Sequence, residues 1–115
     1  MVRVKRVYEK AATEDGCRVL VDRLWPRGMK KEAAKVDLWM KEVAPSDELR
    51  KSFCHEVKKW PAFRVKYRAE LKKRMGLVNE LKKMEKEHGT LTLLYGSKDT
   101  EHNQAVVLAE VLKEE

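Results

Sequence analysis

The stretch RVLVDRLWPRG, residues 18–28, decides how the rest of the chain is read. Val19, Leu20 and Val21 form an apolar run rich in β-branched side chains, the pattern of a strand covered on both faces. The run stops at Asp22-Arg23-Leu24-Trp25-Pro26-Arg27-Gly28, where charge and aromatic surface replace aliphatic groups. Polar and aromatic groups at the end of a buried strand are how ligand sites in open α/β sheets are built. The expectation is a strand over residues 18–22 with a ligand-facing segment behind it.

Working outward, Val2, Val4 and Val7-Tyr8 alternate with Arg3, Lys5 and Arg6 and read as a first strand. Thr13-Glu14-Asp15-Gly16 is turn chemistry between the two. After Gly28 comes a loop with Met29-Lys30-Lys31, then a helix expected around 37–43 and stopped by Pro45. Ser46-Asp47-Glu48 reads as a helix start, a hydroxyl cap followed by two acids at the positive end of the dipole, with Leu49 and Phe53 on one face.

Trp60-Pro61 opens a long helical region, Pro61 standing where a missing N–H costs little. Phe63, Tyr67, Leu71, Leu77, Leu81 and Met84 keep helical spacing, and Gly76 marks a kink or break. Gly89 is the expected left-handed cap. Residues 90–95, TLTLLY, read as a further strand, Gly96-Ser97-Lys98-Asp99-Thr100 as a loop, and 101–113 as the last helix.

The long helical stretch between the strands 18–22 and 90–95 suits a crossover joining parallel neighbours. The expected fold is therefore α/β: a small single-domain sandwich spanning 1–115. Its sheet is mostly parallel, of about three to four strands, with helices packed on it. Three strands are assigned and a fourth has no assigned position. The 115 residues suit one domain, and 43% hydrophobic content is ordinary for a folded chain.

No apolar run approaches the ~18 residues a membrane-spanning helix needs, and MVRVKRVYEK has no apolar signal core, so a cytoplasmic protein without a membrane partner is the default expectation. Charged residues make up 39% of the chain, with a single glutamine, Gln104, a balance associated with hyperthermophiles. The net charge of +7 favours anionic partners, although a solvated lysine-rich surface gives the same number. Cys17 and Cys54 form no CxxC pair, which argues against a cysteine zinc site and for free thiols. His55, His88 and His102 lack ligand spacing, so no metal site is expected, and the identity of any cofactor stays open.

If the strands 18–22 and 90–95 are parallel, their carboxyl ends share one edge. Asp22, Arg23, Trp25 and Arg27 then face Tyr95, Ser97, Lys98 and Asp99, with His102 and Asn103 beside them at the start of the last helix. Backbone N–H groups there, with Arg23, Arg27 or Lys98, suit an anion. Asp22, Asp99 and His102 are the candidate acids and bases; Tyr95 or Ser97 would orient the ligand, and His55 could reach the site from another element. Each has a structural alternative: Asp22 as the ion-pair partner of Arg23 or Arg27, Trp25 as core, Asp99 as a helix cap. Cys54 and His55 are adjacent, which on a helix points them ~100° apart and disfavours direct activation.

The segments VLVDRLWPRG, LWMKEVAPSDELRKSF, W-PAF-Y-AEL and LTLLYGSKDTEHNQAVVLAEVL together resemble the YeaO-like branch of the family called domain of unknown function 488. The resemblance covers nearly the whole length. The other branch of that family carries Asp-x-Arg then Pro-Arg, similar to Asp22-Arg23 and Pro26-Arg27 here, and a late strand of the type LLC-x-E followed by Cys-His-Arg. Tyr95 stands where that strand's cysteine would be, and His102-Asn103 near the Cys-His-Arg, so thiol chemistry does not transfer. The branch's Trp-Phe-Gly-His-Asp-Pro-like segment is Ser52-Phe53-Cys54-His55-Glu56-Val57 in this chain, with His55 kept and the glycine and proline replaced.

Three functional expectations follow. One is an anionic small-molecule site, for a phosphate or nucleotide, at the carboxyl ends of the strands 18–22 and 90–95. Another is a nucleic-acid-associated protein using the basic helix 61–74, whose Arg64, Lys66, Arg68, Lys72, Lys73 and Arg74 crowd one side. A non-catalytic protein-interaction domain is the third and plainest reading.

Overall fold

Alternation along the strands sorts the side chains onto two unlike faces. In the computed structural model, which describes residues 1–114, four parallel strands form one sheet: β1 (Val2–Arg6), β2 (Cys17–Leu20), β3 (Leu38–Trp39) and β4 (Leu91–Tyr95). They lie in the order β1-β4-β2-β3, with Val4 and Val19 both in register with Leu93. Cys17, Val19, Val21, Leu91, Leu93 and Tyr95 point to one face. Arg18, Leu20, Thr92 and Leu94 alternate with them and point to the other.

The first face carries the larger core. It packs against α2 (Asp47–Phe53), α3 (Trp60–Lys72), α4 (Met75–His88) and α5 (Gln104–Lys113), through Phe53, Phe63, Tyr67, Leu71, Val78, Leu81 and Leu108 among others. Each fully buried leucine there contributes about 1.5–3 kcal/mol of transfer free energy. Among the described residues the second face carries no long helix. Residues 22–37 and the short α1 (Lys31–Ala34) cover it, with Trp25, Met29, Val36 and Trp39 packed over Leu20 and Leu94.

β3 is the fourth strand, and it occupies part of the segment expected to be helical around 37–43. The free edge of β2 captures it: Asp37 N–H donates to Arg18 O at 2.8 Å and Met40 N–H to Leu20 O at 2.9 Å. The Asp37 carboxylate also accepts from Arg18 N–H at 2.8 Å. These long-range bonds outweigh local helix preference, and only the turn Lys41–Val43 stays helical, as a 3-10 turn.

Three other boundaries differ from expectation. The strand expected over 18–22 ends at Leu20, although Val21 N–H still reaches Leu94 O at 3.0 Å. The long helix breaks at Lys73–Arg74 rather than at Gly76, because the Arg74 guanidinium reaches Glu42 O and Ala44 O at 3.0 and 2.9 Å. The last helix starts at Gln104, not 101, since Asn103 takes the capping position and accepts from Val106 N–H at 3.1 Å. The Ser46 cap is as expected, accepting from Leu49 N–H at 3.2 Å.

Candidate functional site

β2 and β4 end side by side, so the residues that follow them meet. Gly96 N–H donates to Asp22 Oδ2 at 2.8 Å, and the Gln104 side-chain amide donates to Oδ1. A Cβ at position 96 would come within 3.0 Å of the same carboxylate oxygen, so glycine is what lets backbone and carboxylate approach this closely. Neither Arg23 nor Arg27 pairs with Asp22 among the described residues. Arg23 turns to Pro45 O, at 3.2 Å from Nη2 and 3.4 Å from Nε, and to Ala44 O at 3.4 Å. Burial pushes the Asp22 pKa up to about 6, and the Gly96 and Gln104 donors only partly offset it.

Asp22 lines a cleft of about 230 Å³ at this sheet edge. The inner wall is apolar and buried, formed by Ala44, Pro45, Phe53 and Phe63. Ser97, His102, Asn103 and Gln104 bring polar atoms from the β4–α5 side. Arg50, His55 and Leu24 stand at the solvent-exposed rim, and Arg23 is partly exposed. The two phenylalanine rings stack at 4.5 Å between centroids, and Trp60 extends the stack to the edge of His102 at 5.2 Å.

His102 precedes α5 rather than lying in its first turn. Its Nδ1 sits 3.0 Å from Asp99 Oδ2, which leaves Nε2 as the ring nitrogen open to a ligand. Asp99 caps the turn before α5, accepting from Glu101 N–H at 2.9 Å and His102 N–H at 3.0 Å. Those two backbone donors hold its carboxyl below the ordinary aspartate value. Asp99 and Asn103 between them therefore consume three amides near the start of α5 that were expected to face an anion. Ser97 Oγ accepts from Asp99 N–H at 3.2 Å and keeps its own proton to donate.

Several expected site residues lie elsewhere. Trp25 packs edge-on against Trp39 at 5.5 Å and donates to Met29 O at 2.7 Å, covering the second face of the sheet. Arg27 and Lys98 are exposed and do not line the cleft, and the Arg27 carbonyl accepts from Tyr8 OH at 2.7 Å. Tyr95 is buried under the helices, and burial raises its phenol pKa. His55 does reach the cleft, carried there by a left-handed pair, Cys54 at φ 47° and itself at φ 59°.

Arg50, Phe53, Phe63 and Gln104 line the cleft without having been expected there. Gln104 had one visible signal, being the only glutamine of the chain. The other three follow from how α2 and α3 cross the sheet edge, which no local pattern encodes.

Cys17 and Cys54 are both free, one buried and one exposed, and neither lines the cleft. Among the described residues no group of three His, Cys, Asp or Glu side chains is arranged to hold a metal ion, and no helix is long and apolar enough to cross a membrane. On the basic helix, Arg64 and Arg68 are tied to Glu110, and Arg68 also to Glu114. Arg74 is spent on the Glu42 and Ala44 carbonyls. Lys66, Lys72 and Lys73 remain exposed.

The chain is 47% identical to the uncharacterized protein YeaO of Escherichia coli strain K12, over 97% of this chain and 96% of that one. It is 40% identical to the uncharacterized protein Rv3073c of Mycobacterium tuberculosis strain H37Rv, over 96% and 92%. No solved structure matches. The family model described as the inactive DUF488-N3 subclade matches residues 1–115. The chain belongs to the domain of unknown function 488 family, within the subclade described as inactive DUF488-N3.

Proposed function

We propose that the cleft at the carboxyl ends of β2 and β4 binds a small anionic molecule, a phosphate ester or nucleotide, and that it acts as a binding site without turnover. The observation that carries this reading is the convergence of Arg23, Arg50, His55 and His102 on one cavity of about 230 Å³. Among the described residues Arg50 pairs only with the exposed Asp47, at 3.3 Å, and its remaining donors are available to a ligand. Ser97 Oγ–H adds a neutral donor, and neutral His102, with its Nδ1–H directed at Asp99, offers Nε2 as an acceptor for a ligand hydroxyl. The subclade's description as inactive supports binding over catalysis. Asp22 and the Asp99–His102 pair then serve recognition, Asp99 by orienting the imidazole.

A thermal-shift series tests this with inorganic phosphate, sugar phosphates, nucleotides, divalent metals and short DNA and RNA. Wild type, Arg50→Ala, Arg23→Ala and Arg27→Ala are run in parallel. A ligand at about a hundred times its Kd stabilises by about 2.7 kcal/mol, which is readily seen. A small anion should stabilise wild type and Arg27→Ala but not Arg50→Ala. Stabilisation by nucleic acid alone, unchanged in Arg50→Ala and lost at high salt, would move the function to Lys66, Lys72 and Lys73 on the basic helix.

A further inference from the structure

The cleft is electrostatically two-ended. Arg50 and His55 stand at the exposed rim and Arg23 is partly exposed, whereas Asp22, beside the ends of β2 and β4, has no ion-pair partner among the described residues. Gly96 N–H and the Gln104 amide are neutral donors, and each occupies one carboxylate oxygen. Each oxygen can accept a further bond. A buried carboxylate without a countercharge is costly unless something supplies one or donates to it. A plain anion fits the rim and is repelled by the floor. The wall between the two ends is flat and aromatic, formed by Phe53 and Phe63.

Resting on the anion-binding reading above, we infer that the ligand is bipolar: a planar head with N–H donors faces Asp22, and an anionic group stays at the rim with Arg23 and Arg50. A nucleoside monophosphate whose base carries amino or ring N–H groups has this chemistry. Its base enters against Asp22 and the phenylalanine wall while its phosphate remains near solvent. The modest volume suits a base inside and a phosphate outside better than the reverse, since Arg50 and His55 are exposed at the mouth while Phe53 and Phe63 are buried.

Calorimetric titration of the whole chain with GMP, ribose 5-phosphate, guanosine and inorganic phosphate separates the two ends. GMP should bind wild type about tenfold to a hundredfold more tightly than ribose 5-phosphate, the range for hydrogen bonds to a charged acceptor. Asp22→Asn should abolish most of that ratio. Arg50→Ala should weaken GMP, ribose 5-phosphate and phosphate alike and leave the ratio intact. Wild type gives an independent readout, because the ratio should shrink from pH 8 to pH 5 as Asp22 takes up its proton. Arg23, Arg50, His55, His102, Asp99 and Tyr67 also surround the cleft or act on Asp22. The phosphate senses its surroundings in both ligands, so those contributions largely cancel in the ratio. Equal affinities for GMP and ribose 5-phosphate, unchanged by Asp22→Asn, would overturn the bipolar inference and leave the anion site standing. Binding by none of the four probes would remove both.

Discussion

Asp15 precedes the amino end of β2 and Asp22 follows its carboxyl end, and the chain treats the two carboxylates in opposite ways. Asp15 is fully buried and surrounded by charge: Arg18 Nη1 at 2.5 Å, Lys5 Nζ at 3.0 Å and Arg3 Nη1 at 3.5 Å, with Ala12 N–H donating at 3.0 Å. Burial pushes its pKa up, but Ala12 N–H, Lys5 and Arg18 outweigh that and hold it below the usual aspartate value. Asp22 has neutral donors only, and burial prevails. One carboxylate is closed off and spent on holding the fold. The other faces a cleft with its charge uncompensated. The contrast separates a charge-paired aspartate from one left with neutral donors at a cleft, where sequence alone shows two similar residues.

The sharpest way to break this contrast is to remove the closed end. Asp15→Ala strands Arg18, whose buried guanidinium is otherwise bonded, among the described residues, only to the Ala34 and Lys35 carbonyls. Breaking a buried pair from one side costs about 3–5 kcal/mol. Denaturant unfolding at pH 7 should show that loss, and a loss below about 1 kcal/mol would mean the cluster is solvated like a surface pair.

The open end should respond with the opposite sign. A shift of the Asp22 pKa from 3.8 to about 6 makes its ionised form unfavourable in the fold by up to about 3 kcal/mol. Asp22→Asn should therefore stabilise the protein at pH 8, by about 1–3 kcal/mol, once the Gln104 amide turns to offer its oxygen to the new amide. At pH 4 the two proteins should be nearly equal. Destabilisation at pH 8 would show that the carboxylate is compensated after all.

The pH profile of wild type sharpens the same point. Because its folded pKa is raised, Asp22 contributes stability that is fully present below about pH 4 and is lost as pH rises through about 6. Asp15, with its folded pKa lowered, contributes stability present above about pH 4 and lost as pH falls through its folded value. Unfolding titrations should show the upper slope vanish in Asp22→Asn and the lower slope persist.

The smallest expected effect lies just outside the cleft, next to His55. Cys54 ends α2 in the left-handed region at φ 47°, a conformation that disfavours any side chain with a Cβ. Cys54→Gly should stabilise by about 0.5–1 kcal/mol, the local strain relieved less the added freedom of the unfolded chain. Thermal unfolding checks it, and a destabilised variant would place the strain elsewhere.

Most of the architecture was legible because it rests on short-range patterns. Val19-Leu20-Val21 and Leu91 to Tyr95 announce buried strands, Ser46 announces a cap, and Trp60-Pro61 opens a helix. β3 was not legible, since Leu38 and Trp39 are strand only by pairing with β2. In the cleft, Asp22, Arg23, Ser97, His102, Asn103 and His55 were readable from the shared strand edge and the loops that follow it. Arg27 and Lys98 were misplaced because sequence gives proximity to a strand end but not the direction in which a loop leaves it. Arg50 and Phe63 were missed because helices reach the cleft across the sheet, by tertiary packing.

Arg23 is held by weak, interchangeable moorings. Its guanidinium shares Ala44 O with Arg74, whose bond there is the shorter, at 2.9 Å against 3.4 Å. If Arg23 leaves Ala44 O, that oxygen keeps Arg74 as a donor, whereas Pro45 O and the Asp47 carboxylate, 3.8 Å from Arg23 Nε, each lose a partner. The joint between α3 and α4 therefore rests on Arg74, not on Arg23. An Arg74→Ala protein would lack that second tether, and its cleft would hold Arg23 in place more firmly.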